Sequence, residues 1–268
     1  MASETHANWL RTLRRTLTRP RTSRASVLGT VGSSDWVAEK FGSGAPRIIA
    51  LHGWGRSGKD FERILAGQVG LAVHLPGFGP AAHPTGAWST ADYADQLALA
   101  LRGLGPVIVV GHSFGGRVAL RLAARAPELV SALVLTGVPL TRVNAPKPAP
   151  LAFRIAKVLH AKKLIPEATM ERYRRKYGSQ DYRNARGVMR EILVKTVAED
   201  YLDDATRVVA PVTMVWGEFD APAPLAAAEK ALEYFPRATL RVVPGASHLL
   251  EGNLEEAVKD AVTAALTQ

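Results

Sequence analysis

Short apolar runs alternate along this chain with helix-length segments, and this alternation limits the possible fold more than any other feature. The runs are rich in Val, Ile and Leu and are bounded by Gly or Pro, which is typical of buried strands. Helices between consecutive strands allow parallel pairing, with helices on both faces of the sheet. The predicted strands are 47–51, 71–75, 106–110, 129–135, 211–216 and 238–243, preceded by a hairpin at 26–31 and 35–40. The predicted helices of the core are 90–101, which has a Ser/Thr start, 114–126 and 254–266. The sequence therefore predicts an α/β fold with a mostly parallel, eight-stranded sheet.

The alternation stops at Pro139 and resumes with the strand predicted at 211–216. The residues between them are basic and have the pattern of several amphipathic helices. We therefore predict an α/β core that is interrupted by one helical insertion, which we call the lid. The predicted divisions are 1–26 for a basic, flexible N-terminal extension, 27–139 and 206–268 for the core, and 140–205 for the lid.

Charge and composition exclude several classes of protein. The chain has no cysteine, so thiol catalysis, thiolate metal sites and disulfides are excluded. Neither HExxH nor a GxGxxG or GxxxxGK[ST] fingerprint occurs, and we expect no metal and no cofactor. The net charge of +10 is concentrated, with +5 in residues 1–26 and +6 in 140–205. A nearly neutral remainder disfavours a nucleic-acid partner.

The N-terminal extension has three interpretations. It carries six arginines and one glutamate, a composition that is also typical of an organelle transit peptide. Trp9, Leu10, Leu13 and Leu17 share one helical face, which could make peripheral contact with an anionic membrane. We favour a flexible extension. Because the chain shows no secretory signal and no apolar run of 18 residues, we expect a cytoplasmic protein.

One motif between a predicted strand and a predicted helix carries the strongest functional signal. Residues 111–116 read GHSFGG and fit G-x-S-x-G, which places a serine on a sharp turn from strand to helix. This turn exposes the hydroxyl of Ser113, and Gly111 and Gly115 avoid the collisions that side chains would cause there. The helix that follows directs its positive end at the same point. We therefore predict that Ser113 is a nucleophile.

A serine nucleophile needs a base, and the base needs an acid that orients it. Among seven histidines, His248 lies between the last predicted strand and the last predicted helix, where it can reach over the sheet. His52 and His112 belong to glycine-containing turns, and we interpret them as structural. Asp220 and Glu218 both follow the strand before, so either can supply the orienting carboxylate; we favour Asp220.

Five motifs in one order carry a resemblance to a known family. The sequence resembles the α/β-hydrolase superfamily, and more narrowly its helical-lid esterases. The motifs are LHGWG (51–55), LPGFG (75–79), VVGHSFGG (109–116), WGEFDAPAP (216–224) and PGASH (244–248). They span 47–268 in the family's order, with an insertion after the sixth core strand. The order serine, aspartate, histidine is the one this fold uses.

The resemblance implies a role for each matching residue. Ser113 would be the nucleophile, His248 the general base and then acid, and Asp220 the orienting carboxylate. The backbone N–H groups of Trp54 and Phe114 would form the oxyanion hole. Relatives that open epoxides or displace halide have aspartate in place of this serine, so those activities are disfavoured. The implied enzyme is a serine hydrolase that cleaves a small-molecule carboxylic ester through an acyl-enzyme.

The lid concentrates basic residues, and their role stays open. A solvated helix face is one interpretation, and recognition of an acidic partner or an anionic substrate group is the other. The sequence is also distantly similar to pimeloyl-acyl-carrier-protein methyl ester esterases, which implies a possible acidic carrier protein as partner. The candidate residues near the substrate are Arg172, Arg174, Arg175, Lys176, Trp88 and Phe153.

Two further classes of function compete with ester hydrolysis. A non-catalytic binding protein on the same fold would lack a member of the triad, whereas this chain has candidates for all three. A membrane-associated protein would act through its basic segments.

Overall fold

The computed structural model describes residues 26–141 and 150–267, which form an eight-stranded sheet with helices on both faces. The strand order is β1-β2-β4-β3-β5-β6-β7-β8. Strand β2 pairs antiparallel with β1 and β4, and the remaining neighbours pair parallel. The strands are β1 Val27–Thr30, β2 Val37–Phe41, β3 Ile48–Leu51, β4 Gly70–Val73, β5 Val107–His112, β6 Val130–Thr136, β7 Val212–Gly217 and β8 Ala238–Val243. The predicted fold class is confirmed.

Helices cover the sheet and fill the predicted lid. In chain order the α-helices of the described residues are α1 Thr90–Leu101, α2 Phe114–Arg125, α3 Leu151–Ala161, α4 Glu167–Tyr177, α5 Gln180–Asn184, α6 Gly187–Ala198, α7 Leu202–Thr206, α8 Leu225–Leu232 and α9 Gly252–Ala265. Short 3-10 helices occur at Gly58–Phe61 and Pro127–Leu129. Neither α8 nor the 3-10 helix at Gly58–Phe61 is among the elements predicted from the sequence.

The hydrophobic core has two layers, one on each face of the sheet. Successive side chains of a strand point to opposite faces, and in β5 Val107 and Val109 enter one layer while Ile108 and Val110 enter the other. Helices α1, α2 and α8 pack in the first layer, and α9 packs in the second. Burial on both faces explains why the central strands read as continuous apolar runs.

Local sequence sets the start of α1. The hydroxyl of Ser89 accepts a hydrogen bond from the backbone N–H of Asp92, and the Asp92 carboxylate accepts one from the N–H of Ser89. This reciprocal arrangement is a capping box, which satisfies two N–H groups that a helix start leaves without partners. The helix therefore begins at Thr90, as the sequence predicts.

The five helices α3–α7 lie between β6 and β7. Phe153, Ala156 and Met170 form a small apolar cluster between α3 and α4, whereas Met189 and Ile192 of α6 join the main core. Residues 1–25 of the predicted extension and 142–149 of the predicted lid lie outside the described residues. The division into extension, core and lid stays a prediction. No helix within the described ranges is long and apolar enough to cross a membrane.

Candidate active site

Ser113 occupies a strained turn between β5 and α2. Its backbone has φ 51° and ψ −113°, in a region that non-glycine residues rarely adopt and that costs about 1–3 kcal/mol. The N–H of Ser113 donates to the carbonyl of Thr136 at 3.0 Å, which ties the turn to β6. A Cβ atom on Gly115 would lie 2.2 Å from the carbonyl oxygen of Leu51, so only glycine lets the helix approach β3 this closely. The turn places the serine hydroxyl at the carboxyl ends of the parallel strands.

Asp220 follows β7 and His248 follows β8, and both meet Ser113 at that edge. The Nε2 atom of His248 lies 3.1 Å from the Oγ of Ser113. Its Nδ1 lies 2.9 Å from each carboxylate oxygen of Asp220. These distances link hydroxyl, imidazole and carboxylate in one chain of hydrogen bonds. The fold thus brings Ser113 beside two residues that lie more than a hundred positions later in the chain.

The structure distinguishes the two candidate carboxylates. Asp220 is buried, and besides His248 it accepts a hydrogen bond from the N–H of Ala223 at 2.7 Å. Glu218 is exposed and accepts from the N–H of Gly245 at 2.9 Å. Asp220 therefore contacts the imidazole, and Glu218 fixes the loop that precedes it.

His52 fixes the peptide group that leads into Trp54. Its Nε2 accepts from the N–H of Leu75 at 3.0 Å, so the proton sits on Nδ1, which donates to the carbonyl of Gly53 at 2.7 Å. Burial lowers the pKa of His52 to about 4, which keeps this imidazole neutral. In a trans peptide the N–H points opposite to the C=O, so the hydrogen bond to Gly53 also sets the direction of the Trp54 N–H.

The resemblance assigns the oxyanion hole to two backbone N–H groups, those of Trp54 and Phe114. Phe114 is the first residue of α2, where N–H groups have no partner within the helix. Within the described ranges, neither Phe114 nor Trp54 donates its backbone N–H to a backbone carbonyl. Both groups can therefore donate to an oxygen atom bound beside Ser113.

His112 holds the backbone of His248. Its Nε2 lies 2.9 Å from the His248 carbonyl oxygen, and since a carbonyl only accepts, Nε2 carries the proton. Burial lowers the pKa of His112 to about 4, and its Nδ1 has no partner among the residues described. The position of His112 in a glycine-containing turn predicts a structural role. Its contact with His248, across 136 positions, has no signal in local sequence.

A cleft of about 450 Å³ lies over the serine. Its walls include Ser113 and His248 from the core and residues of α5 and α6 from the predicted lid. The residues that face it also include Trp54, Arg56, Gln180, Leu193, Val197 and Leu249. The lid residues in this set cannot be predicted from the sequence, because they reach Ser113 only through tertiary packing. The apolar share of the walls is suited to an acyl or alkyl group.

The six candidate substrate residues do not line this cleft, and that expectation is corrected. Trp88 packs edge-on against Tyr93, with ring centroids 5.1 Å apart, and Phe153 packs inside the α3–α4 cluster. Arg174 pairs with Glu167 and Glu171. Packing therefore occupies the first two side chains, and ion pairs occupy the third. The other three, Arg172, Arg175 and Lys176, are exposed on α4.

No group of three or more His, Asp or Glu residues is placed to hold a metal ion within residues 26–141 and 150–267.

Comparison with known proteins defines the class. The alpha/beta hydrolase family profile matches residues 48–262, and the chain belongs to this family. It is 32% identical over 232 residues to a pimeloyl-[acyl-carrier protein] methyl ester esterase of Chromobacterium violaceum, covering 78% of this chain and 89% of that protein.

Two further relatives are informative. Esterase Rv0045c of Mycobacterium tuberculosis is 43% identical over 106 residues, which is 38% of this chain and 36% of that protein's length. The fold is similar to the crystal structure of a membrane phospholipase A described as a bacterial virulence factor. That match has a TM-score of 0.68 and 19% identity, and it covers 97% of this chain and 91% of the other.

Proposed function

We propose that this protein is a serine hydrolase that cleaves carboxylic esters through an acyl-enzyme. The observation that carries the proposal is the unbroken series of hydrogen bonds from Ser113 Oγ through His248 to Asp220, at 3.1 and 2.9 Å. It is supported by the strained backbone of Ser113 and by membership of the alpha/beta hydrolase family. Nucleophile, base and orienting acid are then within reach of one another.

In the first half of the proposed reaction, Ser113 Oγ attacks the carbonyl carbon of the ester while Nε2 of His248 takes its proton. The oxygen of the tetrahedral intermediate accepts hydrogen bonds from the N–H groups of Trp54 and Phe114. Asp220 accepts from Nδ1–H and stabilises the imidazolium. His248 then gives its proton to the departing alkoxide, which leaves as an alcohol, and an acyl-serine remains.

Water completes the cycle. His248 takes a proton from a water molecule, whose oxygen attacks the acyl carbonyl carbon, and the same two N–H groups hold the second tetrahedral intermediate. When that intermediate collapses, the proton returns from Nε2 to the Oγ of Ser113 and the carboxylic acid is released. The free enzyme is restored.

Hydrolysis of a p-nitrophenyl ester tests the proposal. Ser113→Ala should lower kcat by about 10⁴-fold or more while leaving the fold intact, because the triad acts as a unit. Ser131→Ala, at an exposed serine on β6, is the matched control and should keep full activity. A fluorophosphonate probe should label the wild-type chain at Ser113 alone. Full activity of Ser113→Ala, or labelling that persists in it, would refute the assignment.

A second candidate function is hydrolysis of an ester carried on an acyl carrier protein. It is favoured by the similarity to pimeloyl-[acyl-carrier protein] methyl ester esterases and by the exposed cations on α4. The double variant Arg172→Gln/Arg175→Gln should lower kcat/KM for the carrier-bound ester by about tenfold, most strongly at low salt, and leave a small ester unaffected. Lys230→Gln/Arg237→Gln, at exposed positions outside the lid, is the control. Equal turnover of the carrier-bound ester by both variants would exclude α4 as its docking site.

A further inference from the structure

Helix α3 exposes an apolar stripe that the fold leaves in water. Leu151, Ile155 and Val158 are spaced four and three residues apart, so they share one face of the helix. Their exposed fractions are 67%, 49% and 55%, and Leu164 just beyond the helix is 66% exposed. Large aliphatic side chains this exposed and this close together are unusual on a soluble surface and mark an interaction site.

The opposite face of α3 explains why the stripe cannot be part of the core. Phe153 and Ala156 point into the small cluster with Met170 of α4, and they are 6% and 3% exposed. Phe153 and Ala156 lie on the one face of α3 that packs against α4. The stripe therefore faces away from the packing of the predicted lid.

Basic residues flank the stripe. Residues 150–166 contain Arg154, Lys157, Lys162 and Lys163 and no aspartate or glutamate. A helix with an exposed aliphatic face and cationic flanks is suited to the interface of an anionic bilayer, where apolar side chains enter the acyl region and cations meet the headgroups.

We propose that the α3 stripe, which is Leu151, Ile155, Val158 and Leu164 with its flanking cations, docks the protein on anionic phospholipid surfaces. A lipid surface is favoured over a second copy of this chain because two equally cationic faces would repel each other. Docking does not depend on the proposed ester hydrolysis, since it needs only the stripe and its charges.

Sedimentation with vesicles tests the proposal on the full chain. Wild-type protein should bind vesicles of phosphatidylglycerol and phosphatidylcholine and bind phosphatidylcholine alone much more weakly. Ile155→Gln/Val158→Gln should weaken binding to the anionic vesicles by about tenfold, because less apolar area enters the bilayer. Leu99→Gln/Val209→Gln, whose side chains are 47% and 61% exposed elsewhere on the surface, is the matched control and should bind like wild type.

A variant that lacks two of the flanking cations measures the electrostatic contribution to vesicle binding. Arg154→Gln/Lys162→Gln should lower binding to anionic vesicles by about tenfold at low salt and less at high salt. Lys230→Gln/Arg237→Gln should change it little. Thermal unfolding of all four variants, and turnover of a soluble ester, show that the fold is kept.

Two outcomes would overturn the proposal. One is equal vesicle binding by Ile155→Gln/Val158→Gln and its control, which would assign any membrane contact to another part of the chain. The other is a change of oligomeric state in that variant without a change in vesicle binding, which would make the stripe an interface between copies. Loss of ester hydrolysis in Ser113→Ala leaves both readouts unaffected, so failure of the proposed function is recognised separately.

Discussion

At the scale of single residues, two buried histidines position the candidate site although neither forms a hydrogen bond with the Ser113 hydroxyl. His52 directs the peptide that ends in the Trp54 N–H, and His112 holds the carbonyl of His248. Each is limited to one neutral tautomer by a partner that can only donate or only accept. Both act on backbone groups, so their effect on catalysis would come from position and not from charge.

We predict that His112 positions His248. In His112→Phe the carbonyl of His248 loses its donor, the loop shifts, and kcat should fall by about 10²-fold with KM little changed, since a displacement near 1 Å has this effect. His112→Gln can still donate an N–H and should recover a large part of kcat. Steady-state kinetics with a soluble ester measure both. Equal loss in Phe and Gln variants would show that ring packing, and not the hydrogen bond, is what matters.

We predict that Asp220 and not Glu218 supports the imidazole. Asp220→Asn keeps the shape of the side chain but favours the wrong tautomer of His248, and kcat should drop by about 10³–10⁴-fold. Glu218→Gln still accepts from the N–H of Gly245 and should stay within about threefold of wild type. The same p-nitrophenyl ester assay compares the two. The opposite order would contradict the geometry.

The sequence reveals the groups whose position follows from one motif or one strand end. Ser113 is fixed by its own turn, and His248 follows the last strand, so both can be predicted. Strand position places Asp220 and Glu218 together, and only the structure shows that Asp220 contacts the imidazole. The hydrogen bond between His112 and His248 cannot be predicted this way. This hydrogen bond depends on the tertiary arrangement of two loops that are 136 positions apart, and no local sequence pattern predicts that arrangement.

At the scale of elements, the approach of α2 to β3 determines whether the turn at Ser113 can form. Gly115 is the point of closest contact, and the atoms that a Cβ would meet belong to the backbone of Leu51 and His52. Backbone of a central strand cannot move aside as a flexible side chain can. The glycine therefore has a packing role in addition to its place in the motif.

We predict that Gly115→Ala displaces α2 and lowers both stability and activity. Overpacking of this kind costs about 1–3 kcal/mol or more in free energy of unfolding. The turn carries Ser113 and the Phe114 N–H, so kcat should fall as well. Gly86→Ala is the control, because a Cβ there meets nothing within 4 Å and the backbone needs no positive φ. Urea unfolding and ester turnover of both variants test this. A stable, active Gly115→Ala would mean that the helix can shift freely.

Elements differ in how far their sequence determines them. Helix α1 has the predicted bounds because a capping box starts it and an apolar stripe continues it. The predicted lid helices are visible as basic amphipathic segments, but the side chains that face the cleft are not. Leu193 and Val197 of α6 face the cleft, whereas the basic run of α4 does not. An amphipathic pattern shows that one face of a helix is buried, but it does not show which element or cavity that face contacts.

At the scale of the whole molecule, the buried histidines make folding depend on pH. Burial lowers the pKa of both His52 and His112 from 6.5 to about 4. Between these values an unfolded chain binds protons that the folded chain does not. The free energy of unfolding therefore decreases as pH falls from about 6.5 to about 4, and above this window these two groups contribute no further change.

We predict that His112→Gln reduces the slope of stability against pH. Each histidine that stays neutral in the fold contributes up to about 1.4 kcal/mol per pH unit within the window, so removing one should lower the slope by that amount. The carboxylates titrate in both proteins and cancel in the difference. Urea unfolding at a series of pH values from 7 to 4.5 gives the two slopes, and His83→Gln, at an exposed position, controls for loss of a histidine as such. Parallel curves for wild type and His112→Gln would mean that His112 takes up its proton in the folded protein.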